Sequence, residues 1–318
     1  MTLHVPVSLN ECIALLTPSI ELSLTHNEIP VVIDATLGLG GHTKVLLEKF
    51  PQLKVIGLDR DDNAIAHARN NLQEFSDRVT IIHTVYDHIP EVLNELGLTA
   101  VDGILFDLGV SSMQLDFADR GFSYSHKAPL DMRMDQNSPL TAEFILTTYS
   151  HADLVRIIRT YGEEKFAPRI ASNIVKARDA GTLKTTSDLA QIIKASIPAP
   201  ARRLGGNPAK RTFQAIRIEV NNELKILERA IPAGLNHLKV GGRMVVMSYH
   251  SLEDKIVKHI FQDKSENKSP KGLPIELAQF QPKFTLVFRG SKGASTEEIA
   301  TNPRAQSMRL RAIERSAA

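Results

Sequence analysis

The sequence predicts an α/β fold in which helices cover both faces of a mostly parallel sheet, the last strand runs antiparallel, and a helical domain is inserted. Three observations support this prediction. Short apolar strands alternate with amphipathic helices over residues 31–107. The alternation stops over residues 113–211 and resumes near Gly241. Two late strands then follow one another without a long helix between them.

The first third of the chain supplies strands separated by helices. The predicted strands are 31–34, 54–59, 79–83 and 101–107, and the predicted helices include 42–50 and 61–75. In the second of these helices Ile65, Ala68 and Leu72 recur at helical spacing, so one face is apolar. Strands that alternate with helices pair in parallel, because each crossover returns the chain to the same edge of the sheet.

The middle of the chain predicts helices and no convincing strand. Segments 163–178 and 187–195 have helical patterns, and residues 197–208 are rich in proline and glycine, which indicates an exposed loop. A long helix is expected over residues 212–231, with Pro232 at its end. Its apolar stripe consists of Phe213, Ile216, Val220, Leu224, Leu227 and Ile231.

The sheet pattern resumes with a strand at 243–248 and ends with strands at 284–288 and 307–312. The last two are expected to pair antiparallel, since a parallel pair would need a crossover of roughly a dozen residues or more. We therefore expect a discontinuous domain over residues 1–112 and 212–318. The inserted helical domain is expected over residues 113–211.

A globular, cytoplasmic protein is the default expectation. Of 318 residues, 42% are hydrophobic and 23% are charged, and the net charge of +2 does not by itself indicate a nucleic-acid partner. No apolar run reaches the roughly 20 residues that cross a bilayer, and the N-terminus lacks a signal-peptide pattern. The single cysteine, Cys12, excludes an intramolecular disulfide, and no metal site is expected from it or from the dispersed histidines.

A glycine-rich turn over residues 34–42 follows the first strand. Gly38, Gly40 and Gly41 would let the backbone approach a ligand closely, and a tight strand-to-helix turn without a ligand is the alternative. The turn departs from the dinucleotide-binding pattern G-x-G-x-x-G, because Thr43 stands at the last glycine position. This departure argues against a nicotinamide enzyme.

Asp59 ends the second strand, where an acidic side chain can accept hydrogen bonds from both hydroxyls of a ribose. The alternative is an N-cap for the next helix, a role that Asp61 fills equally well. The glycine-rich turn favours the ribose interpretation, because ligands of doubly wound sheets bind beyond the carboxyl ends of the strands.

Two further motifs follow the fourth and fifth strands. Residues 107–112 begin with Asp107, which is expected to lie opposite the glycine-rich turn, and a capped turn is the alternative. Residues 248–255 also fit a helix N-terminus with Ser251 as the cap and Asp254 as its acidic partner. This second motif can cap the helix and also contribute to a ligand site at the carboxyl end of the fifth strand, so the two interpretations are compatible.

Basic residues cluster in two places. One stretch contains Arg202, Arg203, Lys210, Arg211 and Arg217, and the C-terminus contains Arg304, Arg309, Arg311 and Arg315. Such clusters track phosphates in nucleic-acid-binding proteins. The alternative is a solvated surface, and the charges alone do not decide between the two.

These motifs resemble the bacterial family of ribosomal small-subunit RNA (cytosine-N4)-methyltransferases (RsmH, or MraW). The matching segments run nearly from end to end and are residues 4–7, 34–42, 57–61, 107–116, 120–123, 129–135, 161–164, 210–215, 248–254 and 302–304. The segments at 107–116 and 129–135 are long and specific. Two departures are small: Met113 stands where many members have proline, and Tyr86 where many have phenylalanine.

The resemblance implies a Rossmann-like S-adenosylmethionine methyltransferase sheet with a helical domain inserted after the fourth strand. With Gly38 of the turn, the expected cofactor contacts are Gly38, Gly40, Gly41, His42, Asp59, Tyr86, Asp107 and Gln114. The implied substrate is a cytidine in the decoding region of 16S ribosomal RNA, methylated at N4 within the small ribosomal subunit. A homodimer is left open, and no membrane partner is expected.

The expected catalytic residues are Asp107, Ser111 and His250. Asp107 or the backbone beside it would accept hydrogen bonds from the cytosine amino group, and no strong base is needed, because the proton can leave after methyl transfer. The contact to a flipped-out base is left open among Phe122, Tyr124, Tyr249 and His250. The expected RNA contacts are Arg133, Arg202, Arg203, Lys210 and Arg211.

Three rival functions stay open on the sequence. The first is methylation of another RNA base or of protein. The second is an RNA-binding or ribosome-assembly module without turnover, against which the Asp107 motif beside an intact glycine-rich turn argues. The third is a nicotinamide dehydrogenase, which Thr43 and the late antiparallel pair of strands weaken.

Overall fold

The computed structural model describes residues 6–110, 114, 118–202, 206–269 and 280–318. The chain divides into two compact units, residues 1–109 with 224–318 and residues 110–223. The first, the sheet unit, contains every described strand, and the second, the helical unit, contains helices and loops. Each unit has its own apolar core. No helix in the described ranges is both long and apolar enough to cross a membrane.

The strands of the described chain form one seven-stranded sheet. They are β1 (Val31–Asp34), β2 (Lys54–Asp59), β3 (Val79–His83), β4 (Val101–Asp107), β5 (Leu238–Ser248), β6 (Phe284–Leu286) and β7 (Arg309–Arg315). Their order is β3-β2-β1-β4-β5-β7-β6, with β1 to β5 parallel and β7 antiparallel to β5 and β6. The predicted fold class is confirmed. The strand order reverses between β1 and β4, which is where such sheets bind ligands.

Helices surround the sheet and make up the second unit. They are α1 (Leu9–Thr25), α2 (Gly41–Lys49), α3 (Asp62–Asn71), α4 (Ile89–Glu95), α5 (Ala142–Thr148), α6 (His151–Gly162), α7 (Ala167–Asp179), α8 (Thr186–Ser196), α9 (Ala199–Arg202), α10 (Lys210–Asn221), α11 (Glu223–Asn236), α12 (Ser251–Ser265) and α13 (Thr296–Thr301). In the sheet unit α1 and α2 cover one face, and α4, α11 and α12 cover the other.

The sequence-based prediction missed α1. Pro18 lies inside this helix and interrupts the pattern that indicates one. Cys12, Leu16 and Ile20 are nevertheless fully buried and recur every fourth position, which is the spacing of a helix face. Burial of that face against the sheet holds α1 in place, since the helix interior contains a proline that lacks a backbone donor.

The helical unit is built around aliphatic side chains of α5 to α8 and α10, among them Ile145, Ile158 and Ile174. Hydroxyl side chains cap three of its helices at their N-termini, because an unpaired backbone N–H there needs an acceptor. The caps are Thr141 for α5, Ser150 for α6 and Thr185 for α8.

The prediction of a single helix over residues 212–231 is wrong, because Asn222 divides this segment into two helices. This residue has a left-handed φ of 52° between α10 and α11, while Pro232 lies inside α11. Phe213 and Ile216 of α10 pack into the core of the helical unit. The chain therefore passes from one unit to the other at 109/110 and 223/224. The expected domain boundaries were 112/113 and 211/212.

Gly162 at the end of α6 allows α6 and α10 to pack closely. A Cβ atom on Gly162 would lie 2.7 Å from the backbone oxygen of Arg211, well inside van der Waals contact. Two segments of the family resemblance, residues 161–164 and 210–215, therefore meet inside the helical unit.

Gly162→Ala is expected to lower the free energy of unfolding by about 1–3 kcal/mol, because the added methyl group must push two helices apart. Gly206→Ala is the matched control in the same unit, since a Cβ there would have no neighbour within 4 Å. Denaturant titration measures both variants, and equal stability of the two would contradict the packing argument.

Candidate cofactor and active site

Three acidic residues stand at the carboxyl ends of the central strands. In the strand register, Asp34 of β1 pairs with Gly57 on one side and Leu105 on the other. Asp59 and Asp107 each lie two residues further along their strands and so project beyond Asp34 by about 6.6 Å. The ends of β2 and β4 thus flank a gap above β1, about 10 Å wide at the usual strand spacing.

The glycine-rich turn occupies this gap and is bonded to both flanking strands. On the β2 side, the backbone N–H of Gly38 donates to a carboxylate oxygen of Asp59 at 2.7 Å. On the β4 side, the hydroxyl of Thr36 accepts from the backbone N–H of Asp107 at 2.6 Å. Beneath the turn, Asp34 accepts from the hydroxyl of Thr43 at 2.7 Å.

Burial raises the pKa of Asp34 and of Asp59, and hydrogen bonds oppose the rise in both. For Asp59 the opposing donors are the backbone N–H groups of Asp61 and Gly38. Each carboxylate oxygen has two lone pairs, so these two bonds leave Asp59 with acceptor sites for the hydroxyls of a ribose. The N-cap of α3 is Asp61, which accepts from the backbone N–H of Asn63.

The geometry gives Gly40 and Gly41 a packing role. Gly40 has φ of 79° and caps α2, and a Cβ there would lie 2.8 Å from a methyl carbon of Leu72. A Cβ on Gly41 would collide with Pro6. Both substitutions would thus strain contacts within the protein. Gly38, with φ of 53°, is different, because a Cβ there would meet only the backbone oxygen of Thr36, at 3.8 Å.

Tyr249 contacts Asp107 directly. This tyrosine follows β5, the neighbour of β4, and its hydroxyl donates to Asp107 Oδ1 at 2.6 Å. Burial, and then the charge of Asp107, hold the pKa of the Tyr249 phenol well above its usual range. The phenol therefore stays protonated and remains a donor to Asp107 throughout the neutral range.

The backbone after β5 is fixed by Glu253. Its carboxylate accepts from the backbone N–H of Tyr249 at 2.8 Å and of His250 at 3.2 Å. Across the site, a Cβ on Gly109 would lie 3.1 Å from the Tyr249 ring, which shows how closely the chain after β4 passes it. The orientation of the phenol towards Asp107 is thus set from two sides.

His250 is the N-cap of α12. Its Nδ1 accepts from the backbone N–H of Glu253, and the Glu253 carboxylate accepts from the backbone N–H of His250. The two hydrogen bonds form a capping box. The alternative of a cap at Ser251 with Asp254 is therefore off by one residue. This geometry gives His250 a structural role, and its catalytic role remains a prediction. Ser111 lies outside the described residues.

Three expected cofactor contacts have other contacts of their own. A ring nitrogen of His42, Nε2, lies 3.1 Å from the backbone oxygen of Val7. Tyr86 packs edge-on against Phe106, with ring centroids 5.4 Å apart. Gln114 is buried and belongs to the helical unit. A direct cofactor contact by any of the three remains a prediction.

The residues at the strand ends fit S-adenosylmethionine. Carboxylates at three neighbouring strand ends provide negative charge beside which a sulfonium cation is favourable. Asp59 offers acceptors for ribose hydroxyls, and the turn at Gly38 leaves open space above its backbone. When bound, S-adenosylmethionine supplies an activated methyl group.

The expected RNA-binding residues differ in their contacts and in their exposure. Arg133 is bound within the helical unit: its guanidinium pairs with Asp131 at 2.7 Å and donates to the backbone oxygens of Gln136 and Ser138. By contrast, Lys210 and Arg211 are exposed at the start of α10.

The other two arginines end α9 and follow it. In Arg202, Nε is buried and has no hydrogen-bond partner within the described part of the chain. Arg203 lies outside the described residues.

Sequence reasoning did not assign Tyr249, Thr36 or Glu253 to the site. Tyr249 was one of four open choices for contacting the base, and its bond to Asp107 joins residues 142 positions apart. One feature of the sequence could have indicated it: Asp107 ends a predicted strand and Tyr249 directly follows another.

A family model described as "MraW methylase family" matches residues 1–316. The Ribosomal RNA small subunit methyltransferase H of Salinispora arenicola is 55% identical, over 98% of this chain and 83% of that protein. Its counterpart from Pseudarthrobacter chlorophenolicus is 54% identical, over 98% of this chain and 94% of that protein.

Among solved structures, an rRNA methylase from Streptococcus thermophilus is 12% identical with a TM-score of 0.40, over 90% of this chain and 86% of that one. That likeness is too slight to bear on function. The family model and the sequence relatives confirm the prediction of a methyltransferase that uses S-adenosylmethionine, and the chain belongs to the MraW methylase family.

Proposed function

We propose that this protein methylates the N4 amino group of a cytidine in the decoding region of 16S ribosomal RNA, with the small ribosomal subunit as its partner in the cytoplasm. The names of its relatives support ribosomal RNA as the substrate. The observation that carries the chemistry is the Asp107 carboxylate, held by Tyr249 at the strand end beside the glycine-rich turn.

The cytosine amino group is a weak nucleophile, because its lone pair is delocalised into the ring. In our proposal Asp107 accepts an N–H of this group, which draws electron density back onto the nitrogen and aligns it for in-line attack. The proton leaves after methyl transfer, so no stronger base is required. Asp59 holds the ribose of the cofactor on the far side of the turn.

Tyr249 has a positioning role in this mechanism. Its hydroxyl fixes one oxygen of Asp107 and thereby sets the rotation of the carboxylate. A carboxylate that rotates freely would meet the amino group in the correct geometry only part of the time. A module without turnover would have no use for this arrangement, which favours an enzyme over the binding-only alternative.

Asp59→Ala is expected to weaken S-adenosylmethionine binding by about 1–3 kcal/mol, the loss typical of hydrogen bonds to a charged group. Because Asp59 also accepts from Gly38, part of this loss will come from the turn. Calorimetry measures the affinity. Asp61→Ala is the matched control, since it removes the neighbouring carboxylate that caps α3, and similar losses in both variants would remove Asp59 from the cofactor site.

Asp107→Ala and Tyr249→Phe are expected to slow methyl transfer to small subunits at saturating cofactor, the first severely and the second about tenfold or more, which corresponds to about 1.4 kcal/mol. Affinity for the subunit should change little, because neither group is proposed to hold RNA. Transfer of a labelled methyl group to purified small subunits measures the rate.

Tyr149→Phe is the control for the tyrosine variant. The Tyr149 hydroxyl also donates to a carboxylate, that of Glu219 at 2.9 Å, but inside the helical unit. Its loss should affect stability and leave turnover near wild type. Normal turnover by Tyr249→Phe would show that the Asp107 carboxylate needs no such support.

The basic cluster formed by Arg202, Arg203, Lys210 and Arg211 is proposed to hold the RNA backbone. Its contacts position RNA without reading sequence. Replacing Arg202, Arg203, Lys210 and Arg211 by alanine should weaken subunit binding and reduce the slope of log affinity against log salt by up to about 3. Cofactor affinity should stay at the wild-type value.

The control for this variant removes four exposed lysines of the helical unit: Lys165, Lys176, Lys184 and Lys194. Equal salt slopes for the two fourfold variants would assign the basic cluster to solvation.

A further inference from the structure

A small pocket lies between α12 and the edge strand β6, away from the strand ends that hold Asp59 and Asp107. Its volume is about 180 Å³. The lining combines apolar and polar side chains, including Leu286, Phe288, Lys258, Gln262, Ser291 and Arg311. A lining that combines apolar and aromatic side chains with amide, hydroxyl and ammonium groups is suited to a planar ring with polar edges.

Arg311 gives the pocket a fixed wall. Its guanidinium binds both oxygens of Asp254 on α12, at 2.7 and 2.9 Å, and donates to the backbone oxygen of Gly290 at 2.9 Å. These bonds join β7, α12 and the segment after β6. Because Asp254 compensates the charge of Arg311, the net positive charge at the pocket comes from other side chains.

Two lysines supply that charge. Lys258 lines the pocket, is exposed and has no acidic partner within the described part of the chain. The ammonium of Lys292 lies 4.6 Å from the centre of the Phe288 ring. The surrounding C-terminal segment, residues 280–318, has seven basic and three acidic residues, a net charge of +4 against +2 for the whole chain.

Strand β6, which lines the pocket through Leu286, ends on the same side of the sheet as the proposed reacting site. β6 is antiparallel to β7, which is antiparallel to β5, so β6 ends on the same side as β4 and β5. In the sheet order β5 and β7 separate β4 from β6, and Leu286 at the end of β6 is level with Ile104, three residues before Asp107. The two strand ends therefore lie roughly 17 Å apart at the usual strand spacing and rise. A single-stranded RNA segment spans this distance in a few nucleotides.

We propose that this pocket binds an unpaired nucleotide of the RNA substrate, a few positions from the nucleotide that is methylated. The base packs against Phe288 and Leu286, the side chains of Gln262 and Ser291 bond to its edge, and Lys258 with Lys292 neutralises the adjoining phosphates. This inference rests on the proposed function, since it requires an RNA substrate. It adds a contact on the sheet unit that is separate from the basic cluster at 202–211.

The test uses the full chain with Lys258→Ala and Lys292→Ala combined, and Phe288→Leu alone. For the double variant we expect the KM for small subunits to rise about tenfold, kcat to stay near wild type, and the salt slope to fall by about 1.4, the value for two phosphate contacts on a single strand. Phe288→Leu should raise KM without changing the salt slope, because it removes the aromatic ring and retains an apolar side chain.

The matched control, Lys49→Ala with Lys54→Ala, removes the same charge from exposed lysines at the opposite edge of the sheet, where α2 ends and β2 begins. Unchanged S-adenosylmethionine affinity in every variant shows that the sheet unit is intact, and rescue is expected from the corresponding double Lys→Arg variant.

A double variant whose KM and salt slope equal those of the control overturns the pocket proposal. A wild-type protein that transfers no methyl group to small subunits overturns the proposed function instead. The two failures are thus distinguished by whether the wild-type protein transfers a methyl group to small subunits.

Discussion

Strand β1 ends two residues short of both its neighbours, and the arrangement of the candidate site depends on that gap. The ladder hydrogen bonds of a parallel sheet fix this register, because a shift would unpair the buried strands. After Asp34 the chain must turn inside the gap, and it is bonded there to Asp59 on one side and Asp107 on the other. The hydrogen bonds between the glycine-rich turn and its neighbours thus position Asp59, Asp107 and the turn together.

Placing carboxylates this close together in a buried region has an electrostatic cost. Burial raises the pKa of Asp34 and Asp59, and the protein offsets this with donors from Thr43, Gly38 and Asp61. A bound cation would offset it further, because opposite charges attract strongly in a region of low dielectric constant. The electrostatics of the candidate site therefore suit a positively charged ligand such as a sulfonium cofactor.

The two units use their family-like segments differently. In the sheet unit, residues 34–42 and 107–109 lie at the carboxyl ends of β1 and β4, where the candidate site is. In the helical unit, Gly162 allows two helices to touch, and Arg133 closes the loop that contains Asp131. Residues that are recognisable in sequence thus lie at the candidate site in one unit and in internal packing contacts in the other.

Local sequence determined the strands, the end position of Asp59 and Asp107, and the antiparallel course of the last strand. Each follows from apolar runs, from spacing, or from the absence of a crossover helix, all of which act over a few residues. The break at Asn222 was invisible to this reasoning, since the apolar stripe continues across it and only packing against two separate cores reveals two helices.

Only the tertiary structure decided that the Tyr249 side chain contacts Asp107. Tyr249 and Asp107 are 142 residues apart and meet because β5 pairs with β4. The same holds for the pocket between α12 and β6, whose walls come from segments that the sheet brings together. Spacing along a chain specifies which residues share an element, whereas contacts between elements depend on which strands become neighbours, a choice made by burial of the whole core.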